Sequence, residues 1–154
     1  VKLHFAYGSN MDRTAMARRC PGSKPVGRAV LKGHSFFITT DGYASVRRAP
    51  ADVVYGVLWQ LTPRDLAALS LYESLASGLY GEADLPVQSN GRSVRALVYV
   101  GRSLSRGIPK PGYMEGIVAA ARDWQLPADY VRALSRWVPV GTRGARETEP
   151  GELA

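Results

Sequence analysis

The amino-acid sequence predicts an α+β fold in which a small, mostly antiparallel, barrel-like sheet carries a few inserted helices. Three observations predict it. Residues 2–7 alternate with a period of two, Leu3, Phe5 and Tyr7 on one face and Lys2, His4 and Ala6 on the other, the pattern of a strand. Asn90-Gly91 stands between two β-rich runs, which is the signal of a two-residue hairpin. Helical start signals and amphipathic spacing occur in only a few short stretches, with strand-like runs on either side.

The elements follow in order. The first strand stops at Gly8, and Asn10 or Asp12 is placed to cap a short helix from about residue 12 to Cys20, which Pro21-Gly22 terminates. Residues 26–32 and 35–40 are β-rich runs separated by Gly33. Asp41-Gly42 is a turn, and residues 44–48 form a short further strand. Residues 53–61 read as a buried strand in which Gly56 marks a bulge or a close backbone approach.

A helix then begins at Thr62-Pro63-Arg64-Asp65. Thr62 caps it, Pro63 suits the first helical position, and Asp65 returns a bond to the cap while meeting the positive helix end. Leu61, Leu66 and Leu69 point inward, the last turn is Leu71-Tyr72-Glu73, and Gly78 marks the next break. Residues 79–88 and 93–100 are the hairpin strands, and 101–112 form a loop holding Pro109, Pro111 and several glycines. Residues 113–124 are amphipathic through Ile117, Ala120, Ala121 and Trp124. A second helix, 128–137, restarts after Leu126-Pro127. One domain over residues 1–137 and a polar tail over 138–154 are expected, with no internal repeat.

With 154 residues, 45% hydrophobic and 21% charged, the chain is of single-domain size and has the balance of a globular protein. No apolar run approaches the roughly 20 residues of a membrane span, and Val1–Phe5 is too short and polar for a signal peptide. Cys20 is the single cysteine, so no internal disulfide forms, and a reducing, cytoplasmic setting is expected. One cysteine and two histidines, His4 and His34, in no ligand-like spacing argue against a metal site.

The net charge of +7 falls wholly on residues 1–48, where nine Lys/Arg face only Asp12 and Asp41. This admits a basic face for nucleic acid or an anionic small molecule, or an ordinary solvated surface. Its scatter, without the interleaved aromatics of single-strand binders, favours the second.

Two features carry chemistry. A strand ending in Gly8-Ser9-Asn10 before a helix makes a turn whose successive N–H groups can converge on a carboxylate or a developing oxyanion; an ordinary strand-to-helix connection uses the same residues. Glu73 is the one acid between Leu66 and Gly81. It lies among aliphatic, small and tyrosyl residues near a helix C-terminus, where the macrodipole disfavours negative charge. Burial and that dipole both raise a carboxyl pKa, as a general base working near neutrality requires; the alternative is a solvated helix-end glutamate. Tyr72, Tyr80 and Tyr113 read as half-buried wall residues, and Cys20 as helix-end packing. Walker, Rossmann and G-x-S-x-G motifs are absent.

An ordered set of segments resembles the γ-glutamylcyclotransferase family, which includes the plant avirulence-induced-type domains. It runs from Phe5-Ala6-Tyr7-Gly8-Ser9-Asn10-Met11 through Arg19-Cys20-Pro21-Gly22, residues 27–33 and residues 54–61 to Tyr72-Glu73. It continues with Gly78-Leu79-Tyr80, Gly112-Tyr113, Leu126-Pro127 and Tyr130. The resemblance implies a six-stranded barrel-like α+β fold, one pocket, no cofactor and no metal. It implies a Tyr7–Asn10 loop that binds a small-molecule γ-glutamyl substrate, Glu73 as catalytic acid and base, and Tyr80 and Tyr113 lining or closing the pocket. Ser74 and Ala120-Ala121 depart from the family pattern, which has glycine after the glutamate in many relatives and Gly-Ala in the later helix. The implied reaction is cyclisation to 5-oxoproline with release of an amine. A non-catalytic binding or interaction module of the same fold and a nucleic-acid-binding protein using the basic N-terminal third are the competing readings. No nucleic acid or membrane partner is expected, and the sequence is compatible with a monomer or a homodimer.

Overall fold

Seven β-rich runs become five strands in the computed structural model, which describes residues 2–74 and 78–140. The order is β1 (Lys2–Ala6), a 3-10 turn (Ser9–Met11), α1 (Arg13–Arg19), β2 (Lys24–Ile38), β3 (Ala44–Leu61), α2 (Pro63–Ser74), β4 (Tyr80–Ser89), β5 (Arg92–Gly101), α3 (Tyr113–Asp123) and α4 (Ala128–Ser135). The strands close into a barrel in the order β1-β3-β2-β4-β5. All neighbours are antiparallel except β1 and β5, which meet in parallel at His4 and Leu97.

The sixth strand of the expected barrel is absent among the described residues because two breaks in the sequence bend strands without ending them. Gly33 adopts a left-handed φ of +74° and lets β2 continue from Lys32 to His34 through a register shift. Opposite it, β3 pairs Arg48 with His34 and Val53 with Lys32, so residues 49–52 arch over a single glycine. Pro50 sits in this arch, where no ladder bond is asked of it.

Local signals acted as expected elsewhere. Asn90 and Gly91 both adopt positive φ, 52° and 76°, and join β4 to β5. The Thr62 hydroxyl accepts from Asp65 N–H at 3.1 Å while the Asp65 carboxylate accepts from Thr62 N–H at 3.2 Å, a reciprocal cap at the start of α2. Asp12, not Asn10, caps α1, accepting from Thr14 N–H at 3.0 Å. Helices α3 and α4 end within two residues of their expected limits. Of the expected tail, residues 141–154 lie outside the described residues.

Gly56 is a close approach, not a bulge. A Cβ there would lie 2.2 Å from the Ala6 carbonyl oxygen and 2.8 Å from the Phe5 ring. β1 therefore packs on β3 only if position 56 has no side chain, and β1 is the strand that leads into the Tyr7–Asn10 loop. Gly56→Ala is expected to destabilise the protein by about 1–3 kcal/mol through overpacking, read as a lower urea midpoint. An unchanged midpoint would mean that β1 and β3 are not held this closely.

Candidate active site

The capped start of α2 fixes the direction in which its last turn delivers Glu73, and the Glu73 side chain ends only 1% exposed. A second contact ties this helix to α1. The Asp65 carboxylate also accepts from Gly22 N–H at 3.1 Å, and the Cys20 thiol donates to the Asp65 carbonyl at 3.6 Å. The turn after α1 is thus pinned to the first turn of α2. Cys20 is fully buried, and burial, with Asp65 adding to it, pushes its thiol up to about 11. This is a packing residue at a helix end and not an activated nucleophile.

The other half is built by β1 and the tight turn after it. Met11 N–H bonds to the Gly8 carbonyl at 3.0 Å, which folds Ser9–Met11 back and carries Asn10 inward to 1% exposure. From there the Asn10 amide nitrogen donates to Glu73 Oε1 at 3.3 Å. Two segments 63 residues apart in the chain meet in this hydrogen bond.

The turn is braced on several sides. One Arg19 nitrogen donates to Asn10 Oδ1 at 2.6 Å and to Ser9 Oγ at 3.2 Å. His4 Nε2 lies 3.4 Å from the Asn10 amide nitrogen, and Trp124 Nε1 donates to the Met11 carbonyl at 2.7 Å. Arg13 lies over the Trp124 ring, 3.6 Å from its centroid.

Tyrosines form the surrounding wall. The Tyr7 hydroxyl donates to the Tyr99 carbonyl. The Tyr80 hydroxyl donates to the Ala44 carbonyl, and Ala44 N–H donates to the Tyr113 hydroxyl at 3.0 Å, so two of the expected wall residues grip one residue at the start of β3. Burial first, then the charge of Glu73, raises the Tyr7 phenol above its ordinary value. Burial also raises Tyr80, with Tyr113, Tyr7, Glu73 and Tyr43 contributing. These phenols are neutral at physiological pH. They act as hydrogen-bonding walls, more deeply buried than the half-buried positions expected for Tyr80 and Tyr113.

All seven expected site residues therefore lie in one region. Glu73 and Asn10 touch, Tyr7 and Tyr80 feel the Glu73 charge, Tyr113 shares Ala44 with Tyr80, and Gly8 and Ser9 form the turn that presents Asn10. Sequence reasoning missed His4, Arg19 and Tyr99. The β1 alternation put His4 on the face opposite Leu3, Phe5 and Tyr7, and the strand is covered on both faces from His4 to Ala6. A visible signal was the small, apolar Ala6 on the same face as His4.

Part of the basic N-terminal third is engaged by groups of this chain. Arg13 pairs with Asp123 at 2.9 Å, Arg28 donates to the Gln125 carbonyl at 3.1 Å, and Arg47 lies over Phe37. A separate cleft of about 360 Å³, lined among others by Arg28, Tyr55, Gln88, Asn90 and Gln125, includes none of the seven site residues. Among the described residues no cluster of three or more His, Cys, Asp or Glu is placed to hold a metal ion, and no helix is long and apolar enough to cross a membrane.

His4 gives the site a pH signature. Burial lowers its pKa from 6.5 to about 4, against the opposing hydrogen bond of Nδ1 to the Leu97 carbonyl at 3.0 Å. Between those values the unfolded chain binds a proton that the folded chain does not. Its contribution is intact above 6.5 and is lost as pH falls toward 4. Between pH 7 and pH 5 the loss amounts to about 2 kcal/mol from this residue. Urea unfolding at the two pH values is expected to show a difference that shrinks by that amount in His4→Gln. An equal difference in both proteins would place the titration elsewhere.

Known proteins share this fold. The model of the AIG2-like family matches residues 53–134. The chain is similar to the gamma-glutamylcyclotransferase of Bos taurus, with 26% identity covering 92% of this chain and 81% of that protein. It is also similar to the gamma-glutamylcyclotransferase of Homo sapiens, with 28% identity covering 89% and 79%. A solved gamma-glutamyl cyclotransferase superposes with a TM-score of 0.86 at 24% identity, covering 97% of this chain and 95% of that one.

Proposed function

The chain belongs to the AIG2-like family, and from that premise we propose that it is a γ-glutamylcyclotransferase-type enzyme releasing 5-oxoproline from a γ-glutamyl amide. The observation that carries this reading is the hydrogen bond between Asn10 and Glu73, which joins the binding turn to a buried carboxylate. The similarity to the bovine and human enzymes supports it over most of the chain.

The reaction is intramolecular, so the protein has to hold a near-attack conformer, move protons and stabilise an oxyanion. The Tyr7–Asn10 segment holds the γ-glutamyl group through backbone N–H groups and short polar side chains, with Tyr80 and Tyr113 walling the pocket. The Glu73 carboxylate takes a proton from the substrate α-ammonium. The amine attacks the γ-carbonyl carbon, a carbon–nitrogen bond forms, and the carbonyl oxygen becomes an oxyanion. Collapse breaks the original amide bond. Of the three ammonium protons one stays on the ring nitrogen, and two reach the departing amine in succession, Glu73 serving as their carrier. The scheme uses no metal and no cofactor. A cytoplasmic setting, where γ-glutamyl peptides and amines are available, belongs to the same reading.

Glu73→Gln tests it directly. The amide oxygen can still accept from Asn10, so the fold is expected to hold, but glutamine cannot carry the proton. Release of 5-oxoproline from a panel of γ-glutamyl amides, followed by chromatography, is expected to fall about 10²- to 10⁴-fold. Full turnover in this variant would remove Glu73 as the base. A wild-type protein that binds such compounds and never cyclises them would make the chain a non-catalytic binding module.

A further inference from the structure

The two ends of the Asn10 carboxamide face opposite kinds of partner. Its nitrogen lies 3.3 Å from Glu73 Oε1 and 3.4 Å from His4 Nε2, while its oxygen lies 2.6 Å from an Arg19 nitrogen. A guanidinium stays protonated and only donates, so Arg19 demands the oxygen. The demand of His4 depends on its tautomer. The Nδ1 atom lies 3.0 Å from the Leu97 carbonyl, an acceptor, so the ring proton sits on Nδ1 and Nε2 is left as a lone pair that demands the nitrogen. Rotating the carboxamide by half a turn would set oxygen against carboxylate, oxygen against imine nitrogen, and amide N–H groups against a guanidinium. All three contacts would be repulsive.

Both partners are themselves fixed. Arg19 closes α1, donates to Ser9 Oγ at 3.2 Å and lies over the Tyr72 ring, 4.6 Å from its centroid. Tyr72 precedes Glu73 in the last turn of α2, so Arg19 spans the binding turn and the helix turn that carries the glutamate. His4 is 2% exposed and meets the Tyr99 ring edge-on, 5.5 Å between centroids.

We propose that Arg19 and His4 are positioning residues that fix the orientation of the Asn10 carboxamide, so that the Glu73 carboxylate is met by a donor. The proposal rests on Glu73 as the base of the proposed reaction and adds residues that act on it through Asn10. A donor on the carboxylate favours its charged, proton-accepting form, and a carbonyl oxygen in the same place favours the protonated form. Tyr7, Tyr80 and Tyr99 also feel the Glu73 charge. They are neutral phenols over the working range and do not move its titration between pH 5 and 8 by changing charge.

Two measurements on the full chain decide it. In the wild-type protein, long-range ¹H–¹⁵N spectra of the His4 ring are expected to show the neutral Nδ1–H tautomer at pH 7, with Nε2 shifted as a hydrogen-bond acceptor. In Arg19→Gln that acceptor shift is expected to weaken while the urea midpoint stays near wild type. A proton on Nε2, or a His4 signature indifferent to Arg19, overturns the proposal whether or not the protein turns over substrate.

The second measurement uses γ-glutamylalanine. Arg19→Gln is expected to lower kcat about 10- to 100-fold with little change in KM, and to move the acid limb of kcat/KM to higher pH. Arg19→Lys, which keeps a donor, is expected to recover part of both. An acid limb and kcat unchanged in Arg19→Gln overturn the proposal. Absence of 5-oxoproline from wild type defeats the catalytic reading alone and leaves the spectra to judge the orientation.

Discussion

Glu73 places an ionisable carboxyl at 1% exposure inside a wall of tyrosines, and burying such a group costs several kcal/mol unless donors meet it. One donor that meets it comes from 63 residues earlier in the chain, from Asn10. That one contact constrains much else. Asn10 reaches it because the Ser9–Met11 turn folds back, and the turn is gripped by Trp124 just after α3, by Arg19 of α1 and by His4 of β1. On the Glu73 side the helix must arrive at the right angle. The reciprocal cap between Thr62 and Asp65, with Gly22 bonded to the same carboxylate, sets that angle at the far end of α2.

The barrel serves this meeting point by letting strands be long. β2 and β3 continue through Gly33 and the arch at residues 49–52, so β3 begins at Ala44, against Tyr80 and Tyr113, and ends at Leu61, where α2 starts. One strand thus touches the tyrosine wall with its first residue and launches the glutamate helix with its last. β1 lies between β3 and β5 and is covered on both faces. Its single parallel pairing, His4 with Leu97, is also where the His4 ring reaches the Leu97 carbonyl. Closure of the sheet and the tautomer of a histidine beside the site are therefore one event.

Much of this was legible in the chain, for local reasons. Thr62-Pro63-Arg64-Asp65 carries its own hydrogen-bond logic, Asn90-Gly91 its own turn geometry, and Glu73 stood out as a lone acid in apolar company at an unfavourable helix end. What the chain hid depends on distant partners. The breaks at Gly33 and Pro50 look like strand ends until they are seen facing each other across a bulge. The Gly8-Ser9-Asn10 segment suggested a nest of backbone N–H groups, whereas the strongest contact it makes is through the Asn10 side chain. His4 fell on the face opposite Leu3, Phe5 and Tyr7 of an alternating strand, and Arg19 into a scatter of positive charge.

Arg19 shows why a charge count could not settle what the basic third does. Nine cations against two acids over residues 1–48 suggest a surface field, yet Arg13, Arg19, Arg28 and Arg47 are each engaged with a named group of this chain. A cation in water is a weak, screened contributor. A half-buried one, bonded to an amide that faces a buried carboxylate, acts over a short distance in a poorly screened setting. Arg19 donates to the amide oxygen, and this polarises the amide N–H groups toward Glu73. In the proposed reaction the division between a loop that binds and a glutamate that moves protons is therefore incomplete. The loop residue Asn10 also bears on the charge state of the glutamate, and Arg19 and His4 decide which end of Asn10 does so.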